Sequence, residues 1–278
     1  MAQSITNAFV TLFDEEVKQA YQGEALLRGT MRSRTGVQGN TVKFPKIGKG
    51  VATVRVPQTD VTPLNVTYSQ VTATMTDYIA AEYSDIFHQG KVNFDERREL
   101  VQVVSKSIAR RMDQLCIDAL DAASSPSTVA TSVGGAGSNM NIDKLRAAAK
   151  ALNDNNVPAE GRHLLMHSSQ LDALLGETET TSSDFASVKA LVRGEINTFM
   201  GFNIITMGDR DEGGVPKPST RTCFAWHESS MGYAESMSQK SEVNYIPEKT
   251  SFLVSSMFSA GAVAIDDEGI VKISCTES

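Results

Sequence analysis

The chain has 278 residues, 41% of them hydrophobic, with 26 Lys and Arg against 33 Asp and Glu. That is enough for a sizeable core in one or two domains, and it excludes a disordered chain. No apolar run approaches the roughly 18 to 20 residues of a bilayer span, which excludes a helical membrane protein.

The N-terminus, Met1 to Asn7, lacks the basic region and apolar core of a secretory signal, so an intracellular or directly assembled product is expected. Cys116, Cys223 and Cys275 are odd in number and far apart, and support neither a disulfide framework nor a CxxC metal knuckle. From Ser4 to Arg28, Ile5, Phe9, Leu12, Phe13, Val17, Ala20 and Tyr21 recur at helical spacing opposite Asp14, Glu15 and Glu16, which predicts an amphipathic arm helix. Three stretches rich in Val and Thr follow: Thr41 to Phe44, Val51 to Val56 and Val66 to Tyr78. With Gly48, Gly50, Pro57 and Pro63 around their turns they predict a long two-stranded excursion. Isolated ribbons are marginal in water, and this one, with few apolar residues of its own to bury, needs another surface to lie on.

Asn93 or Asp95 can cap a long helix running to about Ala123, with Leu100, Val104, Ile108, Met112, Leu115 and Ala119 in one stripe and charges of both signs elsewhere. Ser124 to Asn139 is rich in Ser and Gly and reads as a linker. Helical patterns at Asp143 to Leu152, Ser168 to Leu175 and Asp184 to Val192 alternate with strand patterns at Arg162 to His167, Phe202 to Thr206 and Arg221 to His227, a compact α+β unit. Glu242 to Ile246, Ser251 to Phe258 and Ala262 to Ile273 have strand composition around a turn at Asp266-Asp267-Glu268-Gly269. These closing strands need a covering helix, and the long one is the obvious partner.

Charge is uneven along the chain. Between Ala25 and Thr59 there is no acid, while Arg28, Arg32, Arg34, Lys43, Lys46, Lys49 and Arg55 are all basic; the remainder has 19 bases against 33 acids. A cationic segment on an anionic body can serve nucleic acid or dock on the acidic body of a neighbouring copy.

The order of these parts resembles a known family, carried by Gly39-Asn40-Thr41-Val42-Lys43-Phe44-Pro45, Ala109-Arg110-Arg111-Met112-Asp113, the stretch Pro158 to Leu175, Gly201-Phe202-Asn203-Ile204-Ile205 and Gly261-Ala262-Val263-Ala264-Ile265. Helical arm, β excursion, spine helix, mixed domain and closing strands look like the major capsid proteins of tailed bacteriophages, an α+β Hong Kong 97-like capsid fold. The resemblance implies an N-arm at 1–40, an extended loop at 41–82, a peripheral domain at 83–135 and 236–278, and an axial domain at 136–235. It also implies a structural role without catalysis, cofactor or metal: the chain assembles with itself, as pentamers and hexamers, into an icosahedral shell. The further partners implied are a portal and, where one is used, a separate scaffolding protein. The shell would enclose double-stranded DNA without sequence-specific binding, with no membrane, in a virion assembled in the host bacterial cytoplasm. Some relatives carry a long N-terminal scaffolding segment; with an arm of this length, scaffolding is expected to come from elsewhere, to have been removed, or to be unnecessary.

Catalytic and metal patterns are weak. His163 and His167 are four apart on a predicted strand with no third ligand in view. Ser132 to Ser138 lacks the Gly-Lys-Ser/Thr ending that grips phosphate, and Asp209, Asp211 and Glu212 before Gly213-Gly214 lack the ligand spacing of a calcium loop. No Gly-x-Ser-x-Gly elbow places a nucleophile. An encapsulin-like shell around a protein cargo and an ordinary α+β enzyme are the alternatives to a capsid subunit. On the capsid reading, Lys43, Lys46, Lys49 and Arg55 are expected on an acidic surface of an adjacent subunit, with Glu96, Glu99 or Asp113 as partners. Phe9, Leu12, Phe13 and Val17 are expected to pack beneath a peripheral domain.

Overall fold

A computed structural model describes residues 22–61, 63–91, 95–176, 198–217 and 219–277. The expected arm positions Phe9, Leu12, Phe13 and Val17 and the helix expected at 184–192 lie outside the described residues. In chain order the strands and helices are β1 (Arg32–Arg34), β2 (Thr41–Ile47), β3 (Tyr68–Thr74), β4 (Thr76–Asp85), α1 (Ile86–Gln89), α2 (Glu96–Asp121), β5 (Ser127–Val129) and α3 (Ile142–Asp154). Then come β6 (Arg162–His167), α4 (Ser168–Gly176), β7 (Thr198–Phe199), β8 (Phe202–Met207), β9 (Arg221–His227), β10 (Met231–Ile246), β11 (Ser251–Ala264) and β12 (Ile270–Cys275).

The spine helix α2 forms where its apolar stripe and cap predict it. The Asp95 carboxylate accepts from the Arg98 N–H, and Glu96 and Glu99 sit in the first turn, where the helix dipole favours acids. Val104, Ile108, Met112, Cys116 and Leu120 are buried at helical spacing. This face lies on a four-stranded sheet ordered β1-β10-β11-β4, where Tyr78 of β4 stacks on Phe258 of β11 with ring centroids 5.2 Å apart.

A second sheet, ordered β5-β12-β9-β6-β8-β7, is apolar on both faces. Leu165, Phe224, Trp226 and Ile270 point into the core shared with α2. Their alternating neighbours Leu164, Met166, Cys223, Ala225, Val271 and Ile273 point into a second core with Leu145 and Leu152 of α3 and Leu174 of α4. Burial on two sides explains why β6 and β9 read as nearly continuous apolar runs. Two expectations need correction. The stretch read as a linker contains β5, which pairs in parallel with β12. The last strand, β12, joins β9 in this second sheet and not the peripheral sheet, because the turn at Asp267–Gly269 carries the chain across between the two layers.

The ribbon is β2 and β3, paired antiparallel from Thr41 opposite Thr74 to Ile47 opposite Tyr68. Its root is seated on the body: Val42, Phe44, Ala73 and Met75 are buried with Ala234 and Ile265. The seat requires glycine. A Cβ at Gly232 would lie 2.9 Å from the Phe44 ring, and one at Gly261 would lie 2.2 Å from the Thr74 carbonyl oxygen. The ladder is prolonged by the Gly48 N–H donating to the Thr67 carbonyl (2.8 Å), and then stops. Val51 to Val56, expected as a strand, forms none.

Gly261→Ala is expected to lift the ribbon root off β11 and to lower stability by about 1 to 3 kcal/mol, read as a lower urea midpoint of the unassembled subunit at unchanged slope.

Candidate functional site

The segment that leads into the ribbon is fixed by one buried carboxylate. Asp113, on the buried face of α2, accepts from the Leu26 N–H (3.0 and 3.2 Å) and the Leu27 N–H (3.0 Å), and pairs with Arg210 at 3.0 Å. Burial pushes the Asp113 carboxyl above its ordinary value, while the two N–H groups and Arg210 act the other way. The turn that supplies Arg210 is held by Gly213, whose N–H donates to the Gln114 side chain. A Cβ at Gly213 would lie 2.6 Å from the Arg110 carbonyl, and its φ of +75° is a value that side chains disfavour. Further along, Arg28 pairs with buried Glu235, and the Trp226 indole donates to the Thr30 carbonyl (3.1 Å). Asp113 is therefore an internal junction of entry segment, spine helix and axial turn. It is not available to a neighbouring copy, which corrects the expectation.

Two of the predicted ribbon cations also have partners within the chain. Lys46 pairs with Asp266 at 2.7 Å, and Lys49 pairs with Glu268 at 2.5 Å, so the base of the ribbon is tied to the turn between β11 and β12. Such exposed pairs are weak and screened by salt, enough to bias the ribbon's direction and too little to lock it. Lys43 and Arg55 are exposed. Glu96 accepts from the Ser84 hydroxyl (2.7 Å) at the start of α2, and Glu99 lies half-buried one turn further on.

The ribbon tip presents the unexpected feature. Val51, Val54, Val56, Val61, Leu64 and Tyr68 are all exposed, Val54 by 93%. The valines are visible in the sequence; their exposure is not, because strand composition normally signals a face that the chain itself covers. A run of exposed apolar residues of this kind is a candidate contact surface.

The C-terminal tail is tied into the second core. The Lys144 ammonium donates to the Ser274 carbonyl (3.0 Å), buried Gln170 donates to the Thr276 carbonyl (3.0 Å), and the Thr276 N–H donates to the Ser138 carbonyl (3.1 Å). Glu277 pairs with Lys217 and Arg221 and accepts from the Ser169 hydroxyl. Lys217 first, then Arg221 and Ser169, hold the Glu277 carboxyl down at about 2. The two histidines serve separate neighbours: His163 stacks on Trp226, and His167 bonds Ser169. Among the described residues no group of three or more His, Cys, Asp or Glu could hold a metal ion.

Because the folded pKa of Glu277 is depressed, its contribution is present above the ordinary carboxylate pKa, about 4.3, and fades as pH falls towards 2. The stability difference between the native chain and Glu277→Gln, measured by urea unfolding, is expected to be largest above about pH 5 and to shrink steadily below about pH 4.3. A pH-independent difference would contradict this.

A family model described as phage capsid protein matches residues 5–277. The fold is similar to the capsid structure of the cyanophage P-SCSP1u, with a TM-score of 0.79 and 14% identity over 100% of this chain and 96% of that one. It is also similar to the Mycobacterium phage Che8 structure, with a TM-score of 0.75 and 16% identity over 97% and 98%. The acid-stable capsid of Helicobacter pylori bacteriophage KHP30 gives a TM-score of 0.78 and 12% identity over 98% and 97%. No curated protein matches the chain in sequence. At these identities the structures establish the fold, the Hong Kong 97-like one that the order of parts implied, while the family match spans nearly the whole chain and favours a structural subunit over the encapsulin-like alternative. The chain belongs to the phage capsid protein family.

Proposed function

We propose that this chain is the repeating wall of a tailed-phage head, and that its ribbon reaches a neighbouring subunit. The observation that carries the reading is the ribbon itself: seated at its root, tied at its base, and apolar at a tip that the chain's described residues leave open. Copies of the chain, arranged as pentamers and hexamers, close an icosahedral shell around double-stranded DNA, with a portal and, where one is used, a scaffolding protein. In this scheme Lys43 and Arg55 are the ribbon cations directed at an adjacent acidic surface, to which Glu96 and Glu99 at the start of the spine helix belong. Phe9, Leu12, Phe13 and Val17 give the arm an apolar stripe suited to the underside of a peripheral domain. Outside the basic segment the chain has 19 bases against 33 acids, which suits a wall that holds a dense polyanion without gripping it. Assembly takes place in the bacterial host's cytoplasm and the product is the virion capsid. No helix of the described residues is long and apolar enough to cross a membrane.

Electron microscopy of the purified chain tests this directly. Hollow shells of uniform diameter are expected, with or without a co-expressed scaffolding protein. A monodisperse monomer under all assembly conditions would overturn the reading.

A further inference from the structure

Strand β4 is an edge. It pairs with β11 from Thr76 opposite Ala260 to Asp85 opposite Ser251, and among the described residues no strand lies on its other side. In an antiparallel pair each strand bonds its partner through alternate residues only, so about half of the ten residues of β4 turn their N–H and C=O groups outward. Ten residues is long for an open edge, and such an edge is a template for another chain.

The ribbon tip offers the complementary half. Residues 51–56 have strand composition, are exposed along their whole length, and make no ladder with the described residues. The two strands also agree in parity. On β4, Tyr78 and Ala80 pack into the core shared with α2, and Ser84 bonds Glu96 at the start of that helix, so the even-numbered positions, Glu82 included, face the helix side. Ile79, Ala81 and Tyr83 point to the opposite face and are exposed. On the tip, Ala52, Val54 and Val56 share one face, and Val51, Thr53 and Arg55 share the other. A strand added with Val54 and Val56 beside Ile79, Ala81 and Tyr83 therefore places Arg55 on the same side as Glu82. Charge agrees as well: β4 carries Asp77, Glu82 and Asp85 and no base, whereas 51–56 carries Arg55 and no acid.

We infer that residues 51–56 of one copy add as a fifth strand to the free β4 edge of a second copy, continuing its four-stranded sheet by main-chain hydrogen bonds. This rests on the reading of the ribbon as a contact between copies and names its receptor, a sheet edge where the sequence pointed to the acids of the spine helix. Main-chain hydrogen bonds supply affinity whatever the side chains, while the face of Val54 and Val56 and the Arg55 side choose register and orientation.

Paired cysteines in assembled shells test this, because Cys116, Cys223 and Cys275 are buried and leave the introduced thiols to react with each other. Val54→Cys with Ala81→Cys, on matching faces, is expected to give intersubunit disulfides under mild oxidation, seen as oligomers on non-reducing gels. Val54→Cys with Glu82→Cys, on opposite faces, is expected to give at least tenfold less. Shells in which Val54→Cys instead links to Glu99→Cys, or links equally to positions 81 and 82, would overturn the inference while leaving the ribbon a contact between copies. A second arm guards against assembly defects: single prolines at 52, 53, 54 and 55 are expected to impair assembly at alternate positions only, since a strand donates to one neighbour through every second N–H. Uniform tolerance would overturn the inference. If the unsubstituted chain forms no shells, it is the functional reading that fails.

Discussion

A strand that leaves its own hydrophobic core must find another, and this constraint governs the molecule. The ribbon root is buried through Val42, Phe44, Ala73 and Met75. A short distance further the ladder stops at the Gly48 to Thr67 bond and the valines of the tip meet solvent. A two-stranded ribbon is marginal on its own, so the proposed contact would complete its stability from outside the subunit. Assembly would then be coupled to burial: each copy that docks a tip would cover apolar surface that the described residues leave exposed.

Such an element is useful only if its root is stiff, and the body supplies that stiffness. The six-stranded sheet is packed on both faces, with Trp226 and Phe224 on one side and Met166 and Ile273 on the other. Asp113 gathers two backbone N–H groups and Arg210 from segments distant in sequence, and the C-terminal tail is bound by Lys144, Gln170 and Arg221. Against this frame the pairs Lys46 with Asp266 and Lys49 with Glu268 are weak and screened by salt. The ribbon is thus anchored firmly by packing and aimed softly by charge.

Much of this was legible in the sequence where local signals agreed. The stripe from Val104 to Ala119 and the Asp95 cap gave the spine helix, and β6 and β9 span Arg162–His167 and Arg221–His227, the bounds that their composition predicts. Non-local features were not legible. Asp113 looks like one of several alternating helix charges, because the N–H groups it accepts from lie 86 and 87 residues away. The placement of β12 was hidden for a similar reason: adjacency suggests a hairpin with β11, whereas the chain crosses at Asp267–Gly269 to pair with β9. At Val51 to Val56 the composition predicted a strand that the isolated chain does not form. That mismatch is informative, since strand propensity reports fit to a half-covered surface, and on the proposed reading a second copy supplies that surface.

The most direct measurement is amide hydrogen exchange on residues 51–56, compared between unassembled subunits and closed shells under the same conditions. The amides are expected to exchange freely in the subunit, and every second one is expected to be strongly protected in the shell, where a ladder to a neighbour would hold it. Equal and rapid exchange in both states would contradict the claim that a neighbouring copy completes the ribbon.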